Sequence, residues 1–154
     1  MMNLKQLLNK SLNRVSNKVV LSLLVVALIG FVDSVYLTIK HFQGVVPPCS
    51  LTSGCEEVLT SVYSVILGIP VSLLGSIFYL LVLVGVFAYW KSKNQNMLRW
   101  TLLLTIPAFI ASLWFVYAQA FIIGSYCTYC LGSFLTSTIL FVIAMNIFSN
   151  QEKS

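Results

Sequence analysis

Charged residues are scarce in this sequence. Its 154 residues include 9 Lys and Arg, 4 Asp and Glu and 1 His, so that 8% of the chain is charged. A soluble globular domain has about 25% charged residues, so this chain has too few to cover a water-facing surface. The hydrophobic fraction of 58% excludes intrinsically disordered and fibrous proteins, because these are poor in apolar residues. The composition therefore indicates an integral membrane protein.

Three long segments lack charge almost completely. Residues 19–39 contain only Asp33, and residues 58–90 and 100–151 contain no Asp, Glu, Lys or Arg. A membrane-spanning helix needs about 20 apolar residues, and the last segment is long enough for two helices, with a break at residues 124–126. We therefore predict an all-α integral membrane protein, a four-transmembrane-helix bundle with spans near residues 19–40, 69–90, 100–122 and 128–148.

Basic residues cluster in two places. Four lie in residues 1–18 and three in residues 91–99, whereas the 42–60 loop has none. The positive-inside rule then makes both termini cytoplasmic and turns the 42–60 loop and the 123–127 turn outward. The net charge of +5 is thus explained by membrane topology. We expect membrane lipid as a partner and no nucleic acid. We expect three parts: a cytoplasmic amphipathic segment at 1–18, a membrane domain at 19–148 and a cytoplasmic tail at 149–154.

All four cysteines fall in or beside the segments predicted to face outward. In bacteria that side of the membrane is oxidising. Cys127 and Cys130 form a C-x-x-C at the predicted start of the fourth span, and this spacing allows a readily exchanged disulfide. A helix N-terminus lowers the pKa of the first thiol. Cys49 and Cys55 lie in the first outward loop and form a second, more widely spaced pair.

The first outward loop is expected to contain a short horizontal helix. Two prolines immediately before Cys49 force extended backbone, and Ser53 and Glu56 have the spacing of a capping box. We predict a helix from Cys55 to about Ser61, with Ser53 as its N-cap, lying across the mouth of the bundle. Cys55 would then lie at a helix N-terminus, where the dipole favours a thiolate.

Three explanations fit two cysteine pairs. They could hold zinc in a Cys₄ site, or form two structural disulfides, or pass electrons from one pair to the other. The small ring of a C-x-x-C disulfide adds little entropic stabilisation, and an oxidising compartment favours disulfides over zinc. A relay from an outside thiol to the loop pair, to the membrane pair and then to a lipid-soluble quinone is the explanation we favour.

Four linked motifs closely resemble the bacterial branch of the vitamin K epoxide reductase family. They extend over most of residues 19–148 and comprise DSVYLTIKH at 33–41, PCSLTSGCEEVLTS at 48–61, YSVILGIP at 63–70 followed by Leu74-Gly75, and QAFIIGSYCTYC at 119–130. The resemblance implies a four-helix membrane bundle that oxidises thioredoxin-like partners and reduces a quinone.

The resemblance also implies a role for each cysteine. Cys127 and Cys130 match the membrane C-x-x-C of the family, in which Cys130 faces the quinone. Cys49 and Cys55 match the loop shuttle pair, in which Cys49 exchanges with the partner and Cys55 attacks Cys127. Because the chain ends shortly after the fourth span, we expect the partner to be a separate thioredoxin-fold protein, DsbA-like and either periplasmic or extracellular.

Two positions depart from the vertebrate enzymes of this family. Those enzymes place an Asn early in span two and a Tyr one turn after the C-x-x-C to hold the vitamin K ring, and the matching positions here are Val71 and Phe134. The acceptor implied is therefore ubiquinone or menaquinone, with vitamin K epoxide as the alternative. Candidates for the quinone pocket, which are equally typical of ordinary bundle packing, are Ser61, Tyr63, Leu74, Phe78, Phe121, Tyr126 and Phe134.

Asp33 is an acid inside a predicted span and therefore a functional candidate. It could supply protons to the quinone. It could also form a polar ladder with Tyr36 and Lys40 that anchors the outer end of the first span, and the ladder is the interpretation that the sequence favours. His41, at the membrane interface, is more typical of a surface residue than of a catalytic base.

Two further protein classes fit part of the pattern. A DsbB-like protein has four spans and two cysteine pairs, but its C-x-x-C precedes the looser pair, whereas here Cys49 and Cys55 come first. A non-enzymatic membrane module would use the cysteines to bind metal. We predict instead a quinone-dependent thiol–disulfide oxidoreductase of the cell (inner) membrane, without a metal, that supports disulfide bond formation.

Overall fold

The computed structural model describes residues 15–51 and 53–152. Four long helical segments in this part of the chain are long and apolar enough to cross a membrane. The predicted all-α four-helix membrane fold is therefore confirmed. The predicted amphipathic N-terminal segment falls mostly on residues 1–14, outside the described residues. The spans consist of α1 (Asn17–Gln43), α3 (Val71–Ser92), α4 (Gln95–Leu103) continued by α5 (Thr105–Tyr117), and α6 (Thr128–Glu152).

The third span is interrupted twice. Leu104 separates α4 from α5, and Pro107 explains the break, because it has no N–H to bond the carbonyl four residues before it. The span then continues as a π-helical turn over Ala118–Ile123 and stops at Gly124, whose φ of 72° is left-handed. The predicted break at residues 124–126 is thus confirmed, since glycine adopts this conformation without steric cost.

The bundle is held by close contact of α1 with α3 and of α6 with both α1 and α5. Tyr79 of α3 lies at the centre of the bundle and is 1% exposed. Gly30 of α1 permits this, because a Cβ there would overlap the Tyr79 ring. The Tyr79 hydroxyl lies 2.7 Å from Thr136 Oγ1 and donates to the Ser133 carbonyl at 3.0 Å. One tyrosine therefore links three helices through packing and hydrogen bonds.

The loop between the first two spans covers one end of the bundle, which we call the cysteine end. It contains the short helix α2 (Cys55–Leu59), a 3₁₀ turn (Val62–Ser64) and an antiparallel hairpin of β1 (Val65–Ile66) and β2 (Ile69–Pro70). Leu67 and Gly68 both have positive φ, as a two-residue type I′ hairpin turn requires. The predicted horizontal helix is present and ends two residues earlier than expected.

The N-cap of α2 differs from the prediction. Gly54, not Ser53, occupies this position, and no side chain caps the helix. Gly54 lies so close to the 125–126 turn that a Cβ would stand 2.7 Å from Ser125 Cβ and 2.9 Å from the Tyr126 backbone nitrogen. A tertiary contact therefore decides the N-cap in place of the capping-box spacing, because only glycine fits at position 54 without displacing residues 125 and 126.

Candidate active site

The loop cysteines form a disulfide. Cys49 and Cys55 are joined, with their Cα atoms 5.9 Å apart. Cys55 begins α2 and is 2% exposed, whereas Cys49 lies in the extended segment before it and is only half-buried. The two ends of this disulfide therefore differ in their access to another protein.

The membrane cysteines are both thiols. Cys127 immediately precedes α6 and is fully buried, and the Cys130 backbone N–H donates to its Sγ over 3.5 Å. The pKa of Cys127 is lowered from its ordinary value, chiefly by a hydrogen bond from the Cys130 thiol and further by backbone N–H groups of residues 129 and 130, against the opposing effect of burial. Cys127 is thus the thiolate-forming member of the pair, as the sequence predicted for the first thiol of the C-x-x-C.

Gln119 fixes the backbone at Cys127. Its side-chain Oε1 accepts the Cys127 backbone N–H over 2.9 Å, and its own carbonyl accepts the Ser125 N–H over 3.2 Å. Gln119 is 2% exposed, so these bonds lie in a dry environment where a lost partner is costly. This role of Gln119 was not predicted from the sequence, although an amide side chain in the last turn of a predicted span is a detectable signal.

The two cysteine pairs lie in one buried cluster. Cys55, Val58 and Cys127 form its centre, and Cys49 and Cys130 pack against it. The loop disulfide is therefore packed beside the low-pKa thiol of the membrane pair.

Two hydrogen bonds hold the loop on the fourth span and on the turn that precedes it. The Tyr129 hydroxyl donates to the Pro48 carbonyl over 3.2 Å, and the Ser125 hydroxyl donates to a Glu57 carboxylate oxygen. Together with the close approach of Gly54 to residues 125 and 126, these contacts fix where the loop disulfide stands relative to Cys127.

A cavity of about 820 Å³ opens beside the membrane pair, and Cys130 lies in its wall. It is bounded by α1, α3, α5, α6 and the cysteine-end loop, and most of its lining is apolar. Of the predicted quinone-pocket residues, five line this cavity: Ser61, Tyr63, Leu74, Phe78 and Phe134.

Phe121 and Tyr126 do not line the cavity. Their side chains are 77% and 45% exposed on the outside of the bundle. Phe121 lies in the π-helical turn, whose wider winding alters the direction of side chains relative to an α-helix, and Tyr126 lies in the turn after it. Five of the seven candidates therefore lie around one cavity, and these two lie outside it.

The vitamin K epoxide reductase family model matches residues 21–145. This chain belongs to that family. A search of curated proteins gives no significant match. Membership makes the protein a membrane oxidoreductase of the disulfide and quinone kind. The match includes all four cysteines and every helix that bounds the cavity.

In residues 15–51 and 53–152, no three His, Cys, Asp or Glu side chains are grouped so that they could hold a metal ion. Disulfide exchange needs no such group. The arrangement instead brings together an accessible disulfide, a buried thiolate-forming cysteine and a thiol that faces an apolar cavity.

Proposed function

We propose that this family member reoxidises a separate thioredoxin-fold partner, DsbA-like, and passes the electrons to ubiquinone or menaquinone. One observation carries the proposal. The loop disulfide and Cys127 share a buried cluster, while Cys130, in the same C-x-x-C as Cys127, lines the apolar cavity. This arrangement supports a route for electrons from the protein surface to the bundle interior within one site.

The first exchange takes place at Cys49. A partner thiolate attacks the Cys49 sulfur, because Cys49 is half-buried while Cys55 is 2% exposed. The bond between Cys49 and Cys55 breaks and Cys55 leaves as a thiolate. A second partner thiol then displaces Cys49, so that the partner gains a disulfide and the loop pair is reduced.

The second exchange takes place inside the cluster. The Cys55 thiolate attacks Cys127 in the oxidised membrane pair, and Cys130 leaves. Cys49 then closes on Cys55, which restores the loop disulfide and releases Cys127. The structure has a loop disulfide and two membrane thiols, which is the state expected after this exchange and before the electrons leave.

The cavity suits a quinone head group. Its volume of about 820 Å³ is typical of small-molecule sites, which are mostly apolar with few polar groups. A bound quinone supplies an acceptor for two electrons and two protons. Cys130 presents its sulfur to the site, Phe78 and Phe134 provide aromatic faces, and Ser61 and Tyr63 provide hydroxyl groups. Val71 and Phe134 offer no hydrogen bond where vertebrate enzymes hold vitamin K, which favours the quinone over the epoxide.

Charge at the opposite end of the bundle supports the orientation. Lys91, Lys93 and Arg99 surround the turn between α3 and α4 and are exposed. The positive-inside rule places this turn in the cytoplasm. The cysteine end then faces outward, in the cell (inner) membrane, where disulfide bonds are formed.

Partner trapping tests the proposed function. A Cys55→Ser variant leaves Cys49 as a thiol, which should attack the disulfide of an oxidised partner and hold that partner as a mixed disulfide, because Cys55 is no longer present to displace it. Mass spectrometry identifies both chains. A Cys49→Ser and Cys55→Ser double variant is the control and should hold nothing. In a parallel assay, Cys130→Ala should abolish quinone reduction by a dithiol donor. Wild-type turnover in Cys130→Ala would contradict the proposal.

A further inference from the structure

Asp33 lies between two openings of the bundle. It lines the cavity that Cys130 also lines, and it lines an open groove of about 540 Å³ on the outer face between α1 and α6, beside Tyr36 and Tyr129. Within residues 15–51 and 53–152, its Oδ2 is buried and has no hydrogen-bond partner. A buried polar atom without a partner costs about 1–3 kcal/mol, so this oxygen requires an explanation that packing does not give.

The polar ladder considered from the sequence does not provide that partner. The Lys40 ammonium group lies 5.7 Å from the centre of the Tyr36 ring, in a cation–π contact, and Lys40 is two helical turns from Asp33. The Tyr36 ring also contacts the Tyr129 ring, with 5.6 Å between centroids. Tyr36 and Lys40 are thus engaged with each other and with α6.

The chemistry of the cavity creates a need for an acid. Oxidation of two thiols releases two protons, and a quinone must take up two. The cavity lining is mostly apolar, so its walls contain few groups that can carry a proton. A positioned acid accelerates such transfers by about 10²–10⁴-fold.

We propose that Asp33 is a further catalytic residue of this site, whose protonated carboxyl donates a hydrogen bond and then a proton to a quinone carbonyl oxygen. This inference rests on the proposed function. Two observations carry it: Asp33 lines the cavity that Cys130 also lines, and its carboxyl has a buried oxygen with no hydrogen-bond partner in the described residues. The site therefore uses an acid from the first span and a sulfur from the fourth, on two walls of one cavity.

The proton and electron balance closes with residues of this chain. Closure of the disulfide between Cys127 and Cys130 releases two electrons and two protons from the two thiols. Both electrons are transferred to the quinone, giving the quinol. Asp33 gives one proton to a carbonyl oxygen and regains one from a cysteine thiol, and the second thiol proton protonates the other oxygen. Asp33 is unchanged after one turnover.

The titratable groups that line the cavity with Asp33 are Lys40 and His41 of α1, Tyr63 of the loop, Tyr79 of α3 and Cys130 of α6, and α5 contributes none. The Tyr79 hydroxyl is already bonded to Ser133 and Thr136. The pKa of Cys127 is lowered chiefly by the Cys130 thiol, and the charge of Asp33 acts against that lowering. Asp33 is therefore close enough to sense the ionisation of the membrane pair.

The test compares Asp33→Asn with Asp33→Glu and with Thr101→Val. Asp33→Asn keeps the size of the side chain and removes the proton, and Asp33→Glu restores a carboxyl. Thr101 is 5% exposed, bonds only the Met97 carbonyl of its own helix, and lies away from the cavity, so Thr101→Val controls for the loss of a polar atom within a span.

Two measurements are made on the full chain in membranes. Turnover with a dithiol donor and ubiquinone gives kcat and KM over a range of pH. Infrared difference spectra before and after ubiquinone binding report the C=O stretch of a protonated carboxyl, which is independent of turnover. A single-turnover assay without quinone follows exchange between the two cysteine pairs.

We expect Asp33→Asn to lower kcat about 100-fold, to alter its pH profile and to leave exchange between the pairs unchanged. Asp33→Glu should recover at least a tenth of wild-type kcat. A carboxyl band should shift on ubiquinone binding in the wild type and Thr101→Val, and be absent in Asp33→Asn. Wild-type kcat in Asp33→Asn, or a carboxyl band that ubiquinone does not shift, overturns this inference and leaves the proposed function standing. A wild type that reduces no quinone overturns the proposed function and this inference with it.

Discussion

Gly54 sets the distance between the loop disulfide and the membrane pair, and Gly54→Ala tests this. The added Cβ would stand 2.7 Å from Ser125 Cβ and 2.9 Å from the Tyr126 nitrogen, where ordinary contact begins near 3.4 Å. The backbone angles of Gly54, φ −95° and ψ 8°, suit alanine, so only the contact is disturbed. The two segments must separate by about 0.7 Å to bring the 2.7 Å contact to 3.4 Å, and a misplacement of about 1 Å can cost a reaction about 10²-fold.

We therefore expect Gly54→Ala to slow exchange between the two pairs about tenfold. The assay mixes fully oxidised protein with a dithiol in the absence of quinone. Acid quenching, alkylation and mass spectrometry then follow the appearance of thiols at Cys127 and Cys130. Gly132→Ala is the matched control, because a Cβ there meets nothing within 4 Å, and its rate should equal that of the wild type. An unchanged rate in Gly54→Ala would refute the view that this contact positions the disulfide.

Two further predictions concern packing and acidity. Gly30→Ala should lower the free energy of unfolding by about 1–3 kcal/mol in a reversible denaturation assay, because the added Cβ overlaps the Tyr79 ring. Gly75→Ala is the control and should cost little, since its Cβ meets only a side-chain carbon at 3.6 Å. Equal losses of stability in the two variants would contradict the packing argument. Cys130→Ala should raise the pKa of Cys127, because the hydrogen bond that chiefly lowers it is lost. Thiolate ultraviolet absorbance should then develop at higher pH than in the wild type. Cys130→Ser retains a hydroxyl donor and should shift less, and an unchanged profile in Cys130→Ala would contradict this cause.

The fold was predictable because the long segments without charged residues mark the membrane spans directly. Asp33 is the only charge in residues 19–39, and the 58–90 and 100–151 segments have none, so the number of spans followed from the lengths of these segments. The conformation within the third span was harder to predict, since a π-helical turn over Ala118–Ile123 depends on tertiary packing rather than on local preference. That turn is also why Phe121 faces outward.

The cysteine positions were predictable because spacing and predicted topology both placed them at one end of the bundle. The contacts that unite them were not. Gly54 was expected to lie within a capping box, whereas it contacts residues 125 and 126, which are far away in sequence. Gln119 was not expected to hold the Cys127 backbone, because this bond depends on how the chain turns between two residues that are eight positions apart. Five pocket candidates line the cavity because the cysteine-end loop, α3 and α6, on which they lie, converge there.

The transfer of electrons from the loop pair to the membrane pair is the central claim, and a two-cysteine trap tests it most directly. A Cys49→Ser and Cys130→Ser double variant retains only Cys55 and Cys127, which share the buried cluster. Mild oxidation should join these two residues in a disulfide that peptide mass spectrometry identifies, whereas Cys55→Ser with Cys130→Ser should give little of the bond between Cys49 and Cys127. If Cys55 and Cys127 stay as thiols while the control pair becomes linked, the proposed relay is contradicted.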